Sequence, residues 1–220
     1  DLVRSRGLGD VYKRQELGFS FDVVSTGMIL SAEQAALVSD FCEQSAKKGA
    51  LVFVDPIMGD EGKLYNGVGE ETVAHMRKMV AVADCIVPNY TEAAYLADMP
   101  YHEDMTEEEA RALTIRLHEM GAKSVVVTSA KVDGENCVVG YDGTEGEFFR
   151  IPFDLIPVRF VGTGDIFAAV MLGRLVDGVA LQESTHRAMD AVRTMIDRNR
   201  DKEDKYLGIP IETCLEVLDE

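Results

Sequence analysis

The sequence FVGTGD, residues 160–165, ends an apolar run with two glycines around a threonine, and places an acid at the start of a helical pattern. Bare backbone N–H groups and the positive end of a helix dipole together suit a phosphate or another anion. The pattern therefore predicts a strand-to-helix turn, Gly162-Thr163-Gly164, that can hold an anion. Asp165 is either an acid that stabilises the helix start or a catalytic base.

Polar residues also follow three other predicted strands. In open sheets of parallel strands, ligands bind outside the carboxyl ends of the strands. We therefore expect these residues to converge with the turn at 162–165 on one edge of a sheet. They are Asp55 with Gly59 and Asp60, Asn89 with Glu92, and Thr128 with Ser129.

Local structure offers a second explanation for two of these clusters. Asn89 and Glu92 have nearly the spacing of a helix capping box, although one carboxylate can both cap a helix and help to hold a metal. Asp55 stands directly before Pro56, a position that turn-forming acids favour. The residue types alone leave both alternatives open.

The elements that must position these residues alternate along the chain. Apolar strands are predicted at 21–26, 51–54, 85–87 and 123–128, and capping signals at Ser31 and Thr106 begin helices between them. A hairpin is predicted at 136–151, and two helices at 164–176 and 181–198. This pattern predicts one α/β domain, residues 16–220, whose mainly parallel sheet has helices on both faces and an antiparallel hairpin at its edge.

Composition narrows the functional classes. The 220 residues include 22 basic and 39 acidic side chains, a formal net charge of −17, which argues against nucleic acid or an anionic membrane as a partner. The four cysteines form no CxxC pair, and the four histidines have no metal-binding spacing. No apolar run approaches the ~20 residues of a membrane span. We expect a cytoplasmic protein.

The familiar phosphate motifs do not explain the glycine turn. The sequence has no GxxxxGK[ST] pattern, and Phe167 occupies the third glycine position of a dinucleotide fingerprint. Three ordered segments instead resemble the bacterial pyridoxal/pyridoxamine kinases of the ribokinase-like superfamily. They are DPIMGDEGKLY at 55–65, PNYTEA at 88–93 and GTGD at 162–165.

This resemblance extends from about residue 16 to the C-terminus. It implies a ribokinase-like fold and ATP-dependent phosphorylation of the 5′-hydroxymethyl group of a vitamin B6 vitamer. Asp165 would be the general base, and Gly162, Thr163 and Gly164 would form the anion hole for the transferring phosphoryl group. Phosphoryl transfer depends mainly on positioning and charge stabilisation, which backbone donors supply.

The resemblance also implies roles around the nucleotide. Glu92, in the NxxE pattern with Asn89, would help to hold Mg²⁺ through water. Asp55 and Asp60 would lie near the phosphates and the metal, Thr128 would lie on the nucleotide side, and a monovalent cation such as K⁺ would bind near Asp55 and Thr128.

The loop at 59–67 carries Lys63 and Tyr65 and resembles a flap that excludes water from the site. The alternative for this loop is a solvated turn. The family resemblance further implies a homodimer.

The sequence departs from the family in two ways. Met28 stands where an aromatic residue is usual, although methionine can fill the same apolar space. The family's N-terminal portion, which contributes vitamer contacts, is expected to be missing, and residues 1–15 are expected to be a foreign or disordered leader. An inactive chain with exposed apolar sheet surface and poor solubility is one expected consequence. The alternative functions are a hydroxymethylpyrimidine or related small-alcohol kinase, and an inactive nucleotide-binding protein.

Overall fold

The computed structural model describes Lys13 and residues 17–218. Apart from Lys13, the predicted leader at 1–15 lies outside the described residues. Within the described part of the chain, no helix is both long enough and apolar enough to cross a membrane.

A six-stranded sheet forms the centre of the domain, with strand order β1-β2-β5-β6-β7-β8. The first four strands in this order run parallel, and β7 and β8 are added antiparallel. This arrangement confirms the predicted mainly parallel sheet with an antiparallel edge. The strands are β1 Val23–Thr26, β2 Leu51–Val54, β3 Gly59–Asp60, β4 Lys63–Leu64, β5 Cys85–Ile86, β6 Ser124–Val132, β7 Glu135–Asp142 and β8 Glu147–Pro152.

Within the described residues 17–218, six helices cover the sheet, and local capping explains where several of them begin. Ser31 accepts a hydrogen bond from the Gln34 N–H, and Thr106 and Glu109 form the predicted capping box. The helices are α1 Ala32–Ala46, α2 Glu70–Val80, α3 Tyr90–Ala97, α4 Glu107–Glu119, α5 Thr163–Val176 and α6 Leu181–Arg198, followed by 3₁₀ turns at Ile211–Thr213 and Leu215–Leu218.

The helices lie on both faces of the sheet, as β2 illustrates. Val52 and Val54 are buried in one apolar cluster with residues of α1 to α4. Phe53, which points to the other face, is buried with Phe167 of α5 and Leu181 of α6. A strand covered on both faces needs an almost wholly apolar sequence, which is why LVFV was recognisable as a strand.

Two local predictions were wrong. The apolar run at 155–161, expected to enter the glycine turn as a strand, lies in a segment, residues 153–161, that has no regular secondary structure. Pro157 cannot donate to a ladder, and the side chains of Leu155 and Val161 are 67% and 61% exposed, so apolar character here does not reflect burial in the sheet. Conversely, the loop predicted at 57–69 contains the antiparallel hairpin β3–β4.

Candidate active site

The glycine turn begins α5. Gly162 is the N-cap residue, with φ 84° and ψ 8°, and among the described residues no side chain caps this helix. A left-handed conformation favours glycine because a side chain would be strained there. In the first hydrogen bond of the helix, the Ile166 N–H donates to the Gly162 carbonyl, with nitrogen and oxygen 3.1 Å apart. The N–H groups of the first turn therefore remain suited to bind an anion, as predicted.

Asp165 lies in this first turn and is exposed to solvent. Its Oδ2 atom is 3.6 Å from the position that a Cβ atom on Gly162 would take, so the carboxylate lies back over the turn. It also lines a cavity of about 630 Å³ along α5. Most of the cavity wall is apolar and includes Val161, Ile166, Ala169, Met195 and Ile209.

Asp55 follows β2 and lies close enough to Asp165 for the two charges to interact. Burial, and then the negative charge of Asp165, raise the pKa of Asp55 to about 7. The end of β2 and the start of α5 therefore meet at one edge of the sheet, as the sequence predicted. Two neighbouring carboxylates, one of them readily protonated, form a site that a cation would stabilise.

Glu92 is 3% exposed at the start of α3. Its Oε2 accepts the Asn89 N–H at 2.9 Å, and Asn89 Oδ1 accepts the Glu92 N–H at 3.0 Å. This capping box is the local alternative that the sequence offered. The structure adds long-range bonds, because Glu92 Oε1 also accepts the N–H groups of Met58 at 2.9 Å and Gly59 at 3.5 Å.

These contacts compete in setting the acidity of Glu92. Burial raises the pKa of Glu92, the three backbone N–H bonds lower it, and the charge of Asp55 raises it, which together leave the pKa at about 7. Asn89 completes the junction by donating from Nδ2 to the Gly59 carbonyl at 2.8 Å. The base of the β3–β4 hairpin is therefore fixed to the start of α3.

Thr128 joins the same edge from β6. It forms a parallel bridge with Asn89, and its N–H donates to the Pro88 carbonyl at 2.9 Å. Nearby, at the end of β1, the Thr26 carbonyl accepts the Asp55 N–H, while the buried Thr26 hydroxyl has no partner among the described atoms. The carboxyl ends of four strands or strand segments thus supply polar groups to one place.

The hairpin carries the remaining predicted residues. Lys63 is exposed, and Tyr65 is 43% exposed, with its pKa raised by partial burial and by the charges of Asp60 and Glu92. Asp60 is engaged by Arg159, whose Nη2 lies 2.7 Å from Asp60 Oδ2. Arg159 was missed from the sequence. Its position three residues before the glycine turn was the available signal, but its partner is 99 residues distant.

A magnesium ion can be assessed from the donor set. No cluster of three or more metal-binding side chains occurs within the described residues. Mg²⁺ commonly keeps several waters and takes one or two carboxylates together with substrate phosphates. Asp55 beside Asp165 suits that arrangement. Glu92 already accepts three N–H bonds, so it fits contact through water better than direct coordination. The residues therefore fit a Mg²⁺ ion held largely by water and phosphate.

Comparisons with known proteins agree with this geometry. The family model for phosphomethylpyrimidine kinase matches residues 13–208, so the chain belongs to that family. The fold is that of the ribokinase-like kinases.

Particular relatives point toward vitamin B6. A pyridoxal kinase of Arabidopsis thaliana is 33% identical over 171 residues, 74% of this chain and 53% of the relative. A Bacteroides thetaiotaomicron protein, described as a candidate phosphomethylpyrimidine kinase, superposes with TM-score 0.93 at 32% identity, over 100% of this chain and 76% of its own. A second crystal form of it is described as containing pyridoxal.

A pyridoxal kinase of Lactobacillus plantarum superposes with TM-score 0.83 at 27% identity, over 98% of this chain and 77% of its own. The chain spans about half the length of the curated relatives that it matches, as the 53% covered in the Arabidopsis protein illustrates.

Proposed function

We propose that this chain contributes the nucleotide and catalytic part of an ATP-dependent kinase that phosphorylates the 5′-hydroxymethyl group of pyridoxal, pyridoxamine or pyridoxine. The observation that carries the proposal is the meeting of Asp55, Asp165 and the uncapped start of α5 at one sheet edge. The similarity to pyridoxal kinases, and the pyridoxal described in one crystal form of a relative, support this substrate class.

In the proposed reaction, the Asp165 carboxylate accepts the proton of the vitamer hydroxyl as that oxygen bonds to the γ-phosphorus of ATP. The bond between the γ-phosphorus and the bridging oxygen breaks, and ADP leaves. Backbone N–H groups at Gly162, Thr163 and Gly164 stabilise charge on the transferring group. The apolar cavity beside Asp165 offers packing for a flat ring.

Other residues would position the nucleotide. Asp55 and Asp60 would face the phosphates and the metal, Glu92 and Asn89 would order water around the metal, and Thr128 would contact the nucleotide. Mg²⁺, when bound, would neutralise phosphate charge in the transition state. Lys63 and Tyr65 would help the hairpin to exclude water. K⁺ near Asp55 and Thr128, a homodimer and a cytoplasmic location stay predictions of this proposal.

A hydroxymethylpyrimidine kinase is the second candidate, because the matching family model carries that description. A nucleotide-binding protein without turnover is the third. All three would share the glycine turn, and they differ in which alcohol is phosphorylated, if any.

A substrate panel separates the three. This chain, and a chimera in which the Bacteroides relative supplies the quarter of its length that this chain does not cover, would be assayed with ATP, Mg²⁺ and each alcohol. We expect formation of pyridoxal 5′-phosphate. Much faster phosphorylation of hydroxymethylpyrimidine would favour the second candidate, and ATP binding without turnover of any alcohol in the chimera would favour the third.

A further inference from the structure

The β3–β4 hairpin is held by two sets of contacts of very different character. At its base, buried bonds from Asn89 and Glu92 reach Gly59 and Met58. Near its tip, the Gly62 N–H donates to the Thr91 hydroxyl at 2.8 Å, and the Tyr101 ring lies 3.0 Å from the position of a Cβ atom on Gly62. Both sets attach the hairpin to α3 and its surroundings, on one side of the candidate site.

Arg159 attaches the hairpin tip to the other side. Its guanidinium contacts two carboxylates at once: Nη2 lies 2.7 Å from Asp60 Oδ2 and Nη1 lies 2.6 Å from Glu61 Oε1. Arg159 belongs to the irregular segment at 153–161, three residues before Gly162. This pair of contacts therefore joins the hairpin to the segment that leads into the glycine turn.

Several carboxylates surround Arg159, so its positive charge affects the hairpin although the side chain is exposed. Asp55, Asp60, Glu61 and Glu92 bring four carboxylates to the region around the hairpin, and the charges of Asp60 and Glu92 both raise the pKa of Tyr65. The charge of Arg159 opposes that effect on Tyr65. A planar guanidinium that binds two carboxylates also fixes their relative direction, which an ammonium group does less well.

We propose that Arg159 is a positioning residue that orders the tip of the β3–β4 hairpin against the approach to the Gly162 turn before nucleotide binds. The ordered hairpin presents Asp60 and Tyr65 to the nucleotide side of the site. The nucleotide part of this inference rests on the proposed function, whereas the ordering of the hairpin does not.

Hydrogen exchange of this chain without substrate tests the ordering directly. Arg159 is 73% exposed, and exposed ion pairs change an equilibrium by at most about fivefold. In Arg159→Gln we expect amides at 59–66 to exchange about three- to fivefold faster, within that limit. The matched control is Arg200→Gln, which removes an exposed arginine paired with Asp197 at 3.4 Å near the end of α6. It should leave hairpin exchange unchanged.

A conservative variant and a distant helix separate positioning from a general loss of stability. Arg159→Lys keeps the positive charge but lacks the planar fork that reaches Asp60 and Glu61 together, so hairpin exchange in Arg159→Lys should lie between that of the wild type and that of Arg159→Gln. Hairpin exchange in Arg159→Gln equal to that of the wild type would overturn the inference, as would an equal acceleration of exchange in α6, which would show a general loss of stability.

Binding of ATP with Mg²⁺, measured by calorimetry on the same variants, tests the consequence for the site. We expect Arg159→Gln to weaken binding by about the same factor as it speeds hairpin exchange, and Arg159→Lys to weaken it less. Faster hairpin exchange with unchanged ATP affinity would show that the Arg159 contacts order the hairpin without affecting nucleotide binding. That result would overturn the nucleotide part of the inference. If none of the variants, nor the wild type, binds ATP, the proposed function fails while the exchange result still decides the ordering.

Discussion

The two sides of the candidate site are built in opposite ways. On the acidic side, Glu92 is 3% exposed and accepts three backbone N–H bonds that join α3 to the base of the hairpin. On the glycine side, Gly162 begins α5 without a side-chain cap among the described residues, Asp165 is exposed, and an irregular segment leads into the turn. One side has its hydrogen bonds internally satisfied, and the other keeps donors for a ligand.

This difference indicates a division of labour. Buried, mutually bonded groups fix positions because breaking any one contact leaves a polar group unpaired. Exposed backbone donors exchange water for substrate at little cost, as binding and release require. We therefore expect substitution of Glu92 on the acidic side to lower mainly the stability, and substitution of Asp165 on the glycine side to lower mainly the turnover.

The largest effect should come from Asp165→Asn. Removing a general base lowers turnover by ~10²- to 10⁴-fold. ATP affinity should change little, because the backbone donors remain. Steady-state kinetics on an active form of the protein, with calorimetry for ATP, measure both quantities. Asp177→Asn is the matched control, since Asp177 lines the same cavity at the other end of α5. Near-normal turnover in Asp165→Asn would remove it as the base.

Glu92→Gln should act mainly on stability. The amide keeps one acceptor oxygen, but its NH2 group must face either the Asn89 N–H or the Met58 and Gly59 N–H groups. The unpaired buried donors cost about 2 kcal/mol, which removal of a buried charge whose pKa is raised partly offsets at pH 8. Glu109→Gln is a close control because Glu109 closes the exposed capping box of α4, where glutamine also serves. Urea unfolding at pH 8 compares the two. Equal stability of both variants would contradict the assignment of a structural role to the acidic side.

Asp55→Asn should change the stability of the folded protein by an amount that depends on pH. The pKa is raised from 3.8 to about 7, so the folded state binds the proton more tightly than the unfolded state. Stability from this group is therefore fully present below pH ~4 and is lost as pH rises through ~7. The variant stays neutral, so we expect similar stability at low pH and a gain of roughly 4 kcal/mol over wild type at pH 8, since each unit of pKa shift corresponds to about 1.4 kcal/mol.

Thermal unfolding of both proteins from pH 4 to pH 8 measures this difference. A constant difference across that range would show that the pKa of Asp55 is not raised in the folded protein. Added Mg²⁺ with ATP should stabilise the wild type more than the variant, if the carboxylate faces the metal.

The smallest effect should be the difference in stability between alanine variants at the two glycines of the turn, Gly162 and Gly164. Gly162→Ala places a side chain at φ 84° and should cost about 1 kcal/mol through strain, since the nearest group is 3.6 Å away and does not clash. Gly164→Ala meets nothing within 4 Å and lies inside α5, so it should be neutral or slightly stabilising. Urea midpoints of the two variants give the comparison. The same loss in both would show that crowding, not backbone conformation, limits the turn.

Local signals made much of this architecture predictable. Capping at Ser31, Asn89 and Thr106 involves residues three apart, and the helix at Leu181–Arg198 was bounded correctly by its apolar periodicity. Buried strands such as Leu51–Val54 were visible because both of their faces are apolar. The meeting of polar groups after β2, β5 and β6 followed from the direction of the parallel strands.

Long-range pairing explains what was missed. Glu92 was expected to act as a helix cap or near a metal, but its bonds to Met58 and Gly59 join residues more than thirty positions apart, for which the sequence carries no local signal. The Arg159 contacts span almost one hundred. The segment at 153–161 misled through its apolar composition, because Phe160 is buried outside the sheet while Leu155 and Val161 are exposed. The roles assigned to individual site residues stay predictions.

A β-bulge in the middle of β6 determines which face of the sheet each later residue of this strand occupies. Pairing with β7 passes from Val127–Val139 to Ala130–Cys137, so Thr128 and Ser129 together face one residue, and Ser129 has φ 55°. Val125 and Val127, then Ala130 and Val132, enter the same core. If all nine residues of β6 alternated regularly, Lys131 would instead turn inward. The extra residue at 128–129 therefore keeps the two apolar halves of the strand on one face, and a single-residue insertion or deletion on either side of the bulge should be more damaging than removal of the extra residue itself.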